Sequence, residues 1–102
     1  MREISLQDLT ENGNVHNLAG YECGRAAREK YHIDDLDRTG EEVCIVIPDD
    51  VYTITVPFFQ GMFAESVHKA GSRENFFNQF KFDAPLVVLQ QVEHGIRLSL
   101  TN

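Results

Sequence analysis

The chain has 102 residues, with 16 Asp and Glu against 9 Lys and Arg, and a formal net charge of −7. Hydrophobic residues make up 42% and charged residues 25%, which fits one compact domain over residues 1–102 and excludes a disordered chain. The carboxylate excess argues against gripping a nucleic-acid backbone, and no apolar run reaches the roughly 18–20 residues of a membrane span.

The N-terminus, Met1-Arg2-Glu3-Ile4-Ser5, lacks the apolar run of a secretory signal, so the expected location is the cytoplasm. Cys23 and Cys44 are too few for a disulfide framework and lack the spacing of a redox or metal pair.

Residues 3–9 (EISLQDL) place Ile4 and Leu6 on one face and predict a first strand. Glu11-Asn12-Gly13-Asn14 breaks the chain, and Asn14 is placed to cap a helix running from Val15 to about Tyr31. Its apolar stripe is Val15, Leu18, Ala19, Cys23, Ala26 and Ala27. Within that helix Gly20, Cys23, Gly24 and Ala27 form a ridge of small residues. A helical glycine costs about 1 kcal/mol relative to alanine, so the ridge predicts close packing, most simply against a sheet.

Asp34 to Gly40 reads as an acidic, solvated turn, since its carboxylates lack the ligand spacing of a calcium loop. Val43-Cys44-Ile45-Val46-Ile47 is the strongest strand and is expected at the sheet centre, covered on both faces, with Cys44 buried and inert. A second helix begins near Thr55, which caps it, with Pro57 in its first turn. Phe59, Met62, Phe63, Ser66 and Val67 give it a helical period.

Phe76 to Phe82 (FFNQFKF) alternates in part and predicts a third strand. Asp83 and Pro85 open a last helix whose expected stripe is Leu86, Leu89, Val92 or Glu93, Ile96 and Leu100. The resulting β-α-β-α-β-α order predicts a small α/β domain with a mostly parallel sheet and helices packed on it.

Catalytic signatures are weak. His16, His32, His68 and His94 are dispersed and assemble no zinc-binding spacing. There is no nucleophile elbow, Gly-rich phosphate loop or Walker lysine, so no catalytic, metal or cofactor-binding residue is assigned and an enzyme is not expected.

Three segments carry a family resemblance: Gly24-Arg25-Ala26-Ala27-Arg28, the stretch EEVCIVIPDDVYTITVPFFQGMFAE, and the ending from Gly71 through EHGIRLSL. Together they resemble the STAS-like family of small bacterial domains. In related sequences a strand similar to V-x-x-D-F-x-x-V precedes T-S-S-F-A-D-E. Here that stretch is Thr55-Val56-Pro57-Phe58-Phe59-Gln60-Gly61. The resemblance implies a non-catalytic regulatory module binding a protein partner, of the GHKL-type ATPase or kinase class.

In anti-sigma factor antagonists, a serine at this helix start is phosphorylated, and about −1.5 to −2 of added charge breaks the complex. Val56 and Pro57 stand there instead and accept no phosphate. The implied contact face runs from Tyr52 to Phe59, with Tyr52, Thr53, Thr55, Phe58 and Phe59 as partner-binding residues. Three aromatics around one helix start give that face independent support, set against the alternative that Phe58 packs beneath a neighbouring helix. Homodimerisation through the same aromatic helix start stays open.

A second reading is a small acidic inhibitor, of the kind a phage would carry, covering a basic nucleic-acid-binding or protein surface. It requires Asp34, Asp35, Asp37, Glu41, Glu42, Asp49 and Asp50 to form one patch. A third reading, an enzyme, requires a pocket joining Cys23 to a histidine.

Overall fold

A computed structural model describes residues 1–101. Its elements in chain order are β1 (Arg2–Ser5), a 3₁₀ turn (Leu6–Thr10), β2 (Asn17–Leu18), α1 (Tyr21–Lys30) and α2 (Ile33–Thr39). Then come β3 (Val43–Val46), β4 (Thr53–Ile54), α3 (Val56–Ala70), α4 (Arg73–Gln79), β5 (Phe80–Asp83) and α5 (Leu86–Thr101). The main sheet is parallel in the order β1-β3-β5, and β2 pairs with β4 in a second, two-stranded parallel sheet. This is the expected α/β class, with β3 central.

The register aligns Ile4, Ile45 and Phe82 in one row and Val43 with Phe80 in the next. Those side chains face the helices. α3 lies over them, its Phe63 ring 5.4 Å from Phe80 and 5.5 Å from Phe82. Phe76 joins the cluster at 5.8 Å from Phe63, so tilted and edge-on aromatic contacts dominate the core.

The opposite sheet face carries Glu3, Ser5, Lys81 and Asp83, all exposed, with Cys44 and Val46 half-buried between them. The expectation that β3 is covered on both faces is therefore corrected. Polar flanking strands replace a second helical layer. Partial burial still pushes the Cys44 thiol up from its ordinary value, reinforced by Glu3 and Asp83, which disfavours the reactive thiolate.

Four expected elements differ from those observed. The first strand stops at Ser5, whose Oγ accepts from the Gln7 amide at 3.2 Å, while Thr10 Oγ1 donates to the Gln7 carbonyl at 2.6 Å. Such local side-chain bonds compete with a strand ladder and coil Leu6–Thr10 instead. The first helix begins at Tyr21 rather than Val15. Asn17–Leu18 pairs as a strand with Thr53–Ile54, and Gly20 turns the chain at φ 94°.

Asp34 to Thr39 lies within the helix α2 rather than in a solvated turn, and Gly40 ends that helix at φ 70°. The predicted strand over Phe76–Phe82 is helical to Gln79, because Ser72 Oγ accepts from the Asn75 amide at 3.1 Å and starts α4. Along α5 the buried face is Val88, Val92, Gly95, Ile96 and Ser99, so Leu86 and Leu100 of the expected stripe are exposed.

The small-residue ridge does mark a close approach, but to a helix. α3 packs between α1 and α5, and Gly24 of α1 meets Gly61 of α3 at the crossing. One helical turn along, Arg28 is 3% exposed. Its guanidinium donates to Asp34 at 2.7 Å, Asp37 at 2.8 Å, the Met62 carbonyl at 2.8 Å and Ser66 Oγ at 2.9 Å. Asp37 also accepts from Ser66 Oγ at 2.7 Å. A buried cation survives only when paired and hydrogen-bonded, and here α2 supplies the carboxylates.

Candidate partner-binding site

The β4–α3 junction is built around Tyr52. This residue is 59% exposed, and its ring stacks on His16, with centroids 4.6 Å apart and planes inclined by 9°. The pairing of β2 with β4 brings the two together, and the Tyr52 amide donates to the His16 carbonyl at 2.7 Å. His16 is fixed from its other side by a 2.7 Å contact between Nδ1 and the Asp50 carbonyl. A carbonyl only accepts, so Nδ1 carries the proton in that bond. Sequence reading missed His16, because 36 residues separate it from Tyr52 and no periodicity links them.

Thr53 and Thr55 flank this platform, both half-buried. Thr53 Oγ1 donates to Asn17 Oδ1 at 2.5 Å, and Thr55 Oγ1 accepts from the Phe58 amide at 3.3 Å as the α3 N-cap. Both hydroxyls thus have a structural partner. Pro57 follows in the first turn of α3 and is exposed.

Phe58 and Phe59 must be corrected as contact residues. They are 2% and 0% exposed. Phe58 forms one wall of a groove beside α1, and its carbonyl lies under Gly24. Phe59 packs toward α5, where Gly95 leaves space that a Cβ would close to 2.5 Å from the ring. The face available to a partner is therefore Tyr52 with His16, Thr53 and Thr55, continuing onto Pro57. A flat aromatic pair with hydroxyls at its margin suits burial of an apolar or planar side chain.

The seven carboxylates of the acidic reading do not stand free together. Asp34 and Asp37 bind Arg28, Asp35 binds Arg38, and Glu41 pairs with Arg2 at 3.3 Å. Asp50 turns one oxygen inward, where no hydrogen bond reaches it. Cys23 is exposed and borders the groove beside α1, whose lining contains no histidine. Among the described residues no group of three His, Cys, Asp or Glu side chains is arranged to hold a metal ion. No described helix is long and apolar enough to cross a membrane. Comparison with protein-family models, curated proteins and solved structures finds no match to this chain.

Proposed function

We propose that the chain is a non-catalytic, STAS-like regulatory module of the bacterial cytoplasm. It binds a protein partner, a GHKL-type ATPase or kinase, through the segment from Tyr52 to Thr55. The observation that carries this reading is the exposed Tyr52 ring, held flat on His16 at the entrance to α3. A large aromatic kept at the surface by a stack and a backbone bond, rather than folded into the core, is the signature of an interface anchor. The helix start it adorns is the one the family resemblance singles out. The partner is bound constitutively in this reading, since Val56 and Pro57 occupy the positions of the phosphoacceptor.

The ion-paired carboxylates favour this reading over the acidic inhibitor, whose surface would need them unneutralised. The test is affinity capture from a lysate of the organism that carries the chain, with and without ATP, comparing the native chain with Tyr52→Ala. Selective capture of an ATPase or kinase, lost with Tyr52→Ala and insensitive to salt, supports the module. Capture of a nucleic-acid-binding protein, lost at high salt, contradicts it.

A further inference from the structure

We infer that the outer edge of β2, with the groove beside it, binds an extended segment of a partner protein as an added strand bearing apolar side chains and a basic residue. This site does not rest on the Tyr52 reading. Along the β2–β4 ladder the carbonyls of His16 and Leu18 accept from the residues flanking β4, at 2.7 Å from the Tyr52 amide and 2.9 Å from the Thr55 amide. Parallel pairing alternates, so the N–H and C=O of Asn17 point to the opposite edge. No described strand adjoins that edge, because the sheet ends at β2.

The two edges of this small sheet are treated differently. On the β4 side, the outward Ile54 amide donates to Gln91 Oε1 of α5 at 2.7 Å, which closes that edge. Proteins commonly cover or blunt a strand edge in this way, whereas on the β2 side Asn17 is exposed and, among the described residues, no comparable bond caps its backbone groups. Alongside it runs a groove of about 340 Å³, lined by Leu9, Val15, Leu18, Ala26 and Phe58. Outward backbone groups beside an apolar groove are what an added strand uses: main-chain bonds for affinity and apolar space for side chains on one face.

Charge selects the occupant. Among the described residues Glu11 is the one acidic side chain lining the groove, with no Lys or Arg beside it. Glu11 and Asn12 hold left-handed φ of 50° and 61°, a costly backbone state for residues with side chains, in the loop that forms the groove rim. A second copy of the chain would bring a further charge of −7 to this rim, whereas a basic segment is complementary to it.

The experiment selects a phage-displayed library of random peptides on the full chain and titrates the synthetic binders by fluorescence and NMR. The expected binders alternate apolar residues with Lys or Arg and protect the Asn17 amide from hydrogen exchange. Asn17→Pro removes the outward N–H, together with the acceptor of the Thr53 hydroxyl, and leaves the backbone bonds accepted by His16 and Leu18 in place. It should weaken binding about tenfold or more, while Tyr52→Ala stays within about twofold. Ala26→Arg, at an exposed position of α1, fills the groove and should give the same loss if proline disturbs the strand. Three results overturn the inference: no selected binder, binders indifferent to both substitutions, or binders lost with Tyr52→Ala alone. Concentration-dependent dimers abolished by Asn17→Pro would assign the edge to a second copy and overturn it as well.

Discussion

Gly24 and Gly61 face each other across the α1–α3 crossing so closely that neither position has room for a side chain. A Cβ on Gly24 would stand 2.1 Å from the Phe58 carbonyl oxygen, and one on Gly61 would stand 2.2 Å from that of Tyr21. Both obstacles are backbone, so relief requires the helices to part. Alanine is the better helix former by about 1 kcal/mol, and an isolated helix would gain from the exchange. Here overpacking reverses the sign. Gly24→Ala and Gly61→Ala should each lose about 3 kcal/mol or more in denaturant unfolding, and a gain would contradict the crossing.

Arg28 distinguishes a buried ion pair from an exposed one on the same guanidinium. The Asp37 side chain is 8% exposed and that of Asp34 is 64% exposed. Asp37→Ala leaves a buried cation short of its enclosed partner and should cost about 3–5 kcal/mol. Asp34→Ala opens a contact that water can replace, and should cost under about 1 kcal/mol. Equal losses in urea unfolding would show that the burial difference does not set the energetics.

Thr55 is explained by capping. Thr55→Ala removes the acceptor for the Phe58 amide and should cost about 1 kcal/mol, whereas Thr55→Ser should cost little. In the proposed module neither variant should change partner retention, because the Thr53 and Thr55 hydroxyls are engaged in structural bonds. Phosphate found on Thr53 or Thr55 by mass spectrometry, together with a loss of binding, would contradict this.

A salt bridge from α4 to α5 gives the fold an acid-sensitive contact. The hydrogen bond from Arg73 holds Glu93 below the usual glutamate value of 4.5, against an opposing effect of burial. A depressed carboxylate stabilises the fold above its unfolded pKa, and that contribution is lost as pH falls through the folded value. The Tm gap between the native chain and Arg73→Gln should therefore narrow as pH falls below the usual glutamate value and through the lowered one of folded Glu93. Both side chains are substantially exposed, so the gap should also shrink in salt. The stacking of Arg73 over Phe77, at 4.9 Å, persists at every pH and should leave a residual difference. A gap that widened on acidification would refute the assignment.

Elements with a local signal were legible in the sequence. Thr55 and Pro57 marked the α3 start, Gly40 the end of the acidic segment, and the run from Val43 the central strand. The failures came where distant partners decide the structure. Asn17–Leu18 becomes a strand only because Thr53–Ile54 lies beside it. The α4 phenylalanines mimic strand alternation because Phe76, Phe80 and Phe82 share parity, while Ser72 caps a helix through them.

At the site, Tyr52 and its neighbouring threonines could be read from the sequence, but His16 could not. Phe58 and Phe59 looked surplus to a single core stripe. Gly24 and Gly95 are what let α1 and α5 close over them, and that pairing lies 34 and 36 residues away in sequence. The acidic segment before Gly40 looked like a solvated turn because nothing local announces Arg28 as its buried partner.

The most direct test of the interaction module is the Tyr52 surface itself. Captured partner should be retained by the native chain and by Tyr52→Phe, and lost by Tyr52→Ala, with all three agreeing in unfolding free energy to within about 1 kcal/mol. Equal retention by Tyr52→Ala would contradict the account, because the one large aromatic displayed at the start of α3 would then contribute nothing to binding.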